Sequence, residues 1–166
     1  MEQLTTLNSN LPAVASVDGK PVNQAVHQYI VVRLGDEQYG IEINYIDNIV
    51  RMQNITRVPK VAPYLKGVIN LRGEVIPVMS LRLRMNLPAD EPGRTTRIII
   101  LKLGEEGNVG VMVDEVKQVV NLTDDDIDKI GYEGTAGKQN FITGVGKHGE
   151  ELISLLDLNT ITLEEN

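Results

Sequence analysis

A hydrolytic triad needs a histidine held beside its nucleophile, and neither histidine of this sequence stands in a suitable place. His27 follows a polar N-terminal segment, and His148 stands on a predicted turn. Cysteine is absent, which excludes thiolate catalysis, disulfides and Cys-based zinc sites. The residues therefore offer little sign of catalytic chemistry.

An acidic run imitates the start of a calcium-binding loop. Asp124, Asp126 and Asp128 have the right spacing, but Lys129 replaces the glycine of the sixth position and Thr135 replaces the glutamate of the twelfth. Helix capping explains these aspartates more simply, because acidic side chains in a first turn interact favourably with the helix dipole. We predict no metal site.

A glycine-rich run imitates a phosphate-binding loop. The stretch GYEGTAGKQ begins at Gly131, but Tyr132 replaces the required first glycine, and Gln139 replaces the Ser or Thr that should follow the lysine. We therefore predict no phosphate loop here and no cofactor for the chain.

The composition favours β-strands in one domain. The 166 residues are 42% hydrophobic, drawn largely from Val, Ile and Leu, with one Phe and no Trp. The opening residues lack the anatomy of a signal peptide, and no apolar run approaches the about 18 residues that a spanning helix needs. We expect a cytoplasmic protein with no direct membrane insertion.

Two pairs of stretches recur in the same order along the chain. The run YLKGVINLRGEVIPVMSL from Tyr64 aligns without a gap with FITGVGKHGEELISLLDL from Phe141, at an offset of 77. The run LGDEQYGIEINYIDNIV from Leu34 aligns with LGEEGNVGVMVDEVKQVV from Leu103, at an offset of 70 beyond the turn. The period is too long for a solenoid, so the sequence predicts one small subdomain built twice.

Apolar runs separated by turn signals predict the strands, which cover residues 28–34, 38–43, 68–70, 74–78, 97–103, 109–113 and 150–158. The apolar spacing between residues 43 and 50 fits either a short helix or a twisted strand. Thr123 and the three aspartates after it predict the start of a helix. Gly67 and Gly73 are predicted to be structural turn residues, since a turn commonly requires positive φ.

Polar, proline-rich and glycine-rich stretches predict the domain boundaries. Residues 1–25 are expected to form a flexible tail, and residues 26–163 to form one domain. The run PADEPG at 88–93 is the candidate linker between subdomains of about 28–87 and about 94–163, with exchange of terminal strands left open.

Charge is divided unevenly along the chain. Residues 1–86 carry nine Lys or Arg and seven Asp or Glu, a balance of +2, while residues 87–166 carry seven and sixteen, a balance of −9, which together give the net −7. The stretch from Arg51 to Arg84 is particularly basic. It fits a solvated strand face, a docking surface for an acidic protein partner or, less well because aromatic residues are few, a nucleic-acid site.

The combination of LGDEQYGIEI, VPKVAPYLKGVINLRGEVIPVMSLR and NVGVMVDEVKQVVNL closely resembles the CheW family, the coupling proteins of bacterial chemotaxis. The resemblance extends from about residue 28 to about residue 161. It implies an all-β fold of two SH3-like five-stranded β-barrel subdomains side by side, with short helices, as the duplication also suggests.

The resemblance implies a non-enzymatic adaptor that couples the cytoplasmic tips of methyl-accepting chemoreceptors to the histidine kinase CheA. The CheW-like regulatory domain of the kinase would pair with the adaptor barrel end to barrel end, and a groove between the barrels would accept the receptor's helical hairpin. Two alternatives are a CheW-like scaffold in another sensory or motility pathway and a small β-barrel that binds nucleic acid.

The same resemblance identifies candidate partner-binding residues. Asn70 and Arg72 match family positions linked to receptor coupling, while Ile46, Asn48 and Ile49 match the stretch beside the groove. The two isoleucines fit plain barrel core equally well.

Two positions depart from the family pattern. Many members carry Glu at the position of Asn48, and most carry Asp at the position of Ser80. A salt bridge from the first position to a receptor is therefore in doubt. Asp157, the equivalent of Ser80 in the second copy, indicates that an acid fits there.

Overall fold

The computed structural model describes residues 25–89, 91–129 and 141–162. The predicted tail, except for its last residue, and the glycine-rich run that imitates a phosphate loop lie outside these ranges. In the described part, no helix is long and apolar enough to cross a bilayer.

Paired strands make up most of the described chain, which confirms the predicted all-β class. The strands are β1 Val26–Leu34, β2 Glu37–Glu42, β3 Ile46–Arg51, β4 Leu65–Leu71, β5 Glu74–Ser80, β6 Arg97–Lys102, β7 Asn108–Val113, β8 Glu115–Thr123, β9 Ile127–Lys129, β10 Ile142–His148 and β11 Glu151–Leu156. Two short helices, α1 Leu81–Arg84 and α2 Leu158–Thr162, follow β5 and β11. Both helices therefore end a repeat.

The strands form two sheets that exchange hairpins between the copies. One sheet has the order β9-β10-β11-β2-β1-β8, and the other has the order β3-β6-β7-β5-β4. Each sheet joins the first hairpin of one copy to the later strands of the other, through the parallel pairs β2–β11 and β5–β7. Each sheet thus contains strands from both predicted ranges, about 28–87 and about 94–163, and the exchange that the sequence left open for terminal strands involves the first hairpin of each copy.

Equivalent residues pair with equivalent residues in the two sheets. Leu155 pairs with Gly40 in one parallel ladder, and Val78, which precedes Leu155 by the repeat offset, pairs with Gly110 in the other. A β-bulge interrupts β3 between Ile46 and Asn48, and the equivalent step of β8 also carries a bulge. The duplication seen in the sequence is therefore a duplication of hydrogen-bond register.

Three apolar clusters hold the sheets together. Each sheet encloses one small cluster of its own: Tyr29, Val31, Val120, Leu122, Ile153 and Leu155 in the first, and Ile69, Ile76, Val78, Ile98, Ile100 and Met112 in the second. A larger cluster draws on both sheets and on both helices, including Val32, Leu101, Leu81 and Ile161. We call it the shared core. It removes apolar area from water only while the two barrels stay together.

The caps of the short helices are also equivalent. The Ser80 hydroxyl accepts a hydrogen bond from the Leu83 N–H at 3.2 Å, and the Asp157 carboxylate accepts one from the Thr160 N–H at 3.3 Å. Each side chain satisfies a backbone donor that the helix start would leave unpaired. Ser80 thus does the capping that an acid does in the second copy.

Two predicted local elements become three-residue 3₁₀ turns. Residues Ile43–Tyr45 form a turn that leads straight into β3. The short helix and the strand, between which the apolar spacing could not decide, thus follow one another along the chain. Asp124–Asp126 form another turn, in which the Asp126 carboxylate accepts hydrogen bonds from the backbone N–H and the hydroxyl of Thr123. Thr123 and Asp126 thus cap the turn as predicted, but β9 begins directly after it, so the turn does not extend into an α-helix.

A buried arginine connects α2 to both repeats. Arg84 is 6% exposed, and its guanidinium lies 4.5 Å from the ring centre of Tyr64 and 4.8 Å from that of Phe141. These two rings occupy equivalent positions of the repeat. The guanidinium also donates to the Ile161 and Thr160 carbonyls of α2, at 2.8 and 3.2 Å. Hydrogen bonds and ring faces together compensate for its lost hydration.

A second arginine anchors the crossing from one sheet to the other. Asp114 stands between β7 and β8, and Arg82 donates to both of its carboxylate oxygens, with distances of 2.9 to 3.1 Å. The Gly35 N–H donates to the same carboxylate at 2.8 Å. Burial raises the pKa of Asp114, but these hydrogen bonds and the charges of Arg82 and Arg33 outweigh it, so the pKa lies below its ordinary value.

Asp114→Asn should lower the free energy of unfolding by about 1.5–3 kcal/mol at neutral pH, because it removes a hydrogen-bonded charge from two half-buried partners, Arg82 and Gly35. Since the folded-state pKa lies below the unfolded one, Asp114 stabilises the fold above the unfolded value and loses this effect as the pH falls through the folded value. Urea titrations at a series of pH values should show the deficit shrinking as the pH falls below the ordinary carboxyl pKa of 3.8. Asp36→Asn, at an exposed turn, should change little, and an equal loss in both variants would contradict the assignment.

Candidate protein-binding site

The β4–β5 hairpin presents two of the predicted partner-binding residues at its tip. Leu71 pairs with Glu74, so Arg72 and Gly73 alone form the turn. Their φ angles are 55° and 85°, the pattern of a type I′ turn. Asn70 and Arg72 are both exposed. The tip therefore offers a cation and an amide to a partner.

Asn70 also has a structural task. Its Oδ1 accepts a hydrogen bond from the Gly73 N–H at 3.1 Å, across the turn. The amide nitrogen of the same side chain takes no part in this hydrogen bond. Asn70 can therefore fix the tip and still contribute a donor to recognition.

The outer face of this hairpin is apolar, a feature that the sequence analysis missed. Val75 stands directly opposite Asn70 and is 63% exposed, and the exposed Pro77 stands opposite the half-buried Val68. The alternation of β5 contained the signal, because Ile76 points inward and its neighbours must then point outward. An exposed apolar row beside a cation is a suitable surface for protein recognition.

The other predicted group lies on β3. Ile46 and Ile49 are half-buried and pack against the shared core. The Oδ1 of the half-buried Asn48 accepts a hydrogen bond from the Ile49 N–H at 2.8 Å. Within the sheet, β3 and β4 occupy opposite edges, so the sheet order does not bring this group next to Asn70 and Arg72.

Gly67 is required by close packing of two backbones. Its φ is 142°, and a Cβ at this position would lie 2.1 Å from the Thr56 carbonyl oxygen. Thr56 pairs with Val68 in an isolated bridge just there. The equivalent Gly144 is also tight, since a Cβ there would lie 2.8 Å from the Asp128 carbonyl oxygen. Gly73, by contrast, faces open space and needs glycine only for its φ of 85°.

His27, which the sequence analysis rejected as a catalytic base, lines an open cavity of about 670 Å³. Its Nε2 lies 2.9 Å from an Asp124 carboxylate oxygen, and Tyr29, whose pKa is raised chiefly by burial, lies in the same wall. The hydroxyl of Thr143 donates to the Leu155 carbonyl. In this cavity the described side chains therefore offer no nucleophile aimed at His27. Nor do three or more His, Asp and Glu side chains gather anywhere in the described chain as metal ligands would.

The chain is similar to a family defined as CheW-like domains, whose model matches residues 28–165. It is 34% identical over 139 residues to the chemotaxis protein CheW of Helicobacter pylori, covering 84% of this chain and 83% of that protein. It is 35% identical over 137 residues to the chemotaxis protein CheW of Bacillus subtilis, covering 82% of this chain and 87% of that protein.

A solved structure shares the fold. The crystal structure of the scaffolding protein TtCheW from Thermoanaerobacter tengcongensis matches with a TM-score of 0.75 and 28% identity, covering 82% of this chain and 92% of that one. The similarity therefore extends over both barrels.

Gly67→Ala should destabilise the fold more than Gly73→Ala. Both place a side chain at positive φ, which costs about 1–2 kcal/mol, but only the first also drives a methyl group into a backbone carbonyl. Urea unfolding of the two variants measures the difference. Equal losses, or a larger loss at Gly73, would show that Thr56 moves away at little cost.

Proposed function

The chain belongs to the CheW-like domain family, and from that premise we propose that it joins chemoreceptors to the histidine kinase CheA. Its relatives are chemotaxis proteins and a scaffolding protein, and its role is that of an adaptor in chemotaxis. The proposal adds the two partners, a cytoplasmic location and the absence of catalysis. The absence of catalysis would follow from a scaffold that works by holding other proteins in place, and the cytoplasmic location from contact with the cytoplasmic tips of the receptors.

Arg72 is the observation that supports the proposal most directly. It has a left-handed backbone, which costs an ordinary L-residue about 1–2 kcal/mol, in a turn that prefers Asn or Gly. No ion pair or side-chain hydrogen bond of Arg72 is recorded within the described chain, so folding does not repay this cost. Strain that folding leaves unexplained points to function, and here the function would be contact with a partner.

The surroundings of Arg72 fit a protein partner. The exposed Val75 provides an apolar contact, and Asn70 provides a polar one beside it. An anchor with a polar rim is the ordinary arrangement of a protein interface. We propose that this hairpin contacts the receptor, and that Ile46 and Ile49 act mainly by setting the shape of the wall between the barrels.

The second barrel offers a similar surface for another partner. Leu152, the equivalent of Val75, is also 63% exposed, and Lys147 stands directly opposite it. A regulatory domain built like this chain could pair with such a barrel end. Two similar faces on different barrels would allow receptor and kinase to be held at the same time.

Arg72→Asn should separate folding from binding. Asparagine accepts the left-handed backbone, so the free energy of unfolding should rise by about 1 kcal/mol. Binding to a purified chemoreceptor signalling fragment should weaken by about 1–3 kcal/mol, and Arg72→Glu should weaken it at least as much. Urea unfolding and isothermal titration measure the two effects.

Arg57→Glu is the matched control, because Arg57 is exposed and lies outside the tip. Co-purification with the CheA regulatory domain tests the second partner independently. Unchanged receptor affinity in both Arg72 variants would remove this residue from the interface.

A further inference from the structure

Three arginines gather at one corner of the five-stranded sheet, where β3 ends and β6 begins. Arg51, Arg94 and Arg97 line a surface depression of about 460 Å³, together with Met52, Gly93 and Thr96. In the described chain no acidic residue lines this depression, and no ion pair of the three arginines is recorded. We call this group the arginine corner.

Two of the arginines oppose each other directly. Arg51 and Arg97 are partners in the antiparallel register of β3 and β6, so their side chains leave the sheet on the same face. Like charges in that arrangement destabilise a sheet. Folding alone therefore does not account for this pair, whereas a bound anion would relieve the repulsion.

The backbone of the corner holds Arg97 in place. Its Nη1 donates to the carbonyls of Arg94 and Thr96, both at 2.9 Å. Arg51 and Arg94 are exposed, and no hydrogen bond from either guanidinium is recorded within the described chain. One fixed guanidinium and two adaptable ones can engage several carboxylates in bidentate fashion.

We propose that the arginine corner binds a segment of a partner protein rich in Asp and Glu. Charge complementarity identifies the occupant, because the corner presents three guanidinium groups with no acid among its lining residues. The inference goes beyond the coupling function proposed above and does not depend on it. Arg51 pairs with Arg97, the first residue of β6, whereas the hairpin that carries Arg72 contacts Asn108, the partner of the last residue of β6, so the two sites lie at opposite ends of that strand.

Other anions fit the corner less well. A phosphate cradle uses free backbone N–H groups, but here the Gly93 N–H donates to the Thr96 hydroxyl at 2.8 Å and the Thr96 N–H donates to the Gly93 carbonyl at 3.3 Å. Nucleic acid would require stacking aromatics, and the lining contains none.

Titration of the full chain with a hexaglutamate peptide at low salt tests the proposal. The Kd should rise at least tenfold in Arg51→Gln/Arg94→Gln, since each lost guanidinium removes a charge-assisted contact, and less than about twofold in the control Arg57→Gln/Lys66→Gln, which removes the same charge from exposed positions elsewhere. Amide chemical-shift changes should fall on residues 51 and 93–97. Arg72→Glu should keep its affinity for the peptide, which separates this site from the receptor surface.

A stability measurement supplies an independent readout. Arg51→Gln should raise the melting temperature of the free chain by roughly 1–3 °C by removing the like-charge pair, and saturating peptide should narrow that difference. Absence of peptide binding, equal affinity in the corner and control variants, or tighter binding of tripolyphosphate or an oligothymidylate would overturn the proposal.

Discussion

The shared core is the constraint on which the rest of this structure depends. Because each copy gives its first hairpin to the other sheet, neither barrel can close with strands from one half of the chain. Residues from both sheets, such as Val32 and Leu101, meet in that core, and Arg84 holds α2 against rings from both repeats. Pulling the barrels apart would expose this core, while the parallel pairs inside each sheet keep strands of both copies in each barrel. An adaptor gains from this, since surfaces on two barrels keep a fixed geometry relative to one another and can position two partners.

Duplication made two similar barrels, and their outer surfaces then differ where partners would meet them. Framework positions agree closely: Gly67 and Gly144 admit a neighbouring backbone, and Ser80 and Asp157 cap equivalent helices. The tips differ, because the first turn has positive φ at Arg72 and Gly73, whereas in the second Gly149 alone has it, at 63°. Close packing constrains the framework, while a solvent-exposed turn is constrained only by its own backbone. Positions at which two copies of one repeat differ therefore indicate function, and they can be found from a single sequence.

Much of the fold was predictable because it is local. Alternating apolar residues gave the first hairpin of each copy and the β4–β5 hairpin, so the all-β class could be predicted, but β8, β9 and β10 were not among the predicted strands. Gly73 marked a tight turn, whereas Gly67, also predicted at a turn, lies within β4. The sequence left an exchange of terminal strands open but could not assign it, since both assignments of the first hairpin satisfy the same apolar pattern and only long-range packing chooses between them. The acidic run after Thr123 has the sequence of a helix start, but β9 pairs with β10 from Ile127 onward, which ends the turn after three residues. In the site, Asn70 and Arg72 were found at the exposed tip, while Val75 was missed because a valine in a strand suggests core until the inward-facing row is known.

The basic stretch shows why residue type alone does not identify a binding surface. Seven Lys or Arg residues between positions 51 and 84 fitted a solvated strand face, a docking surface for an acidic partner or, less well, a nucleic-acid site. Arg84 is instead buried against two rings, and Arg82 is committed to Asp114. Arg72 and Arg51 remain exposed at positions that the fold itself disfavours, one for its backbone angle and the other for the like charge opposite it. An arginine that stabilises the fold is explained by its partners within the chain. An arginine that the fold disfavours has no such partner within the described chain, and for that reason we propose the recognition sites at Arg72 and Arg51.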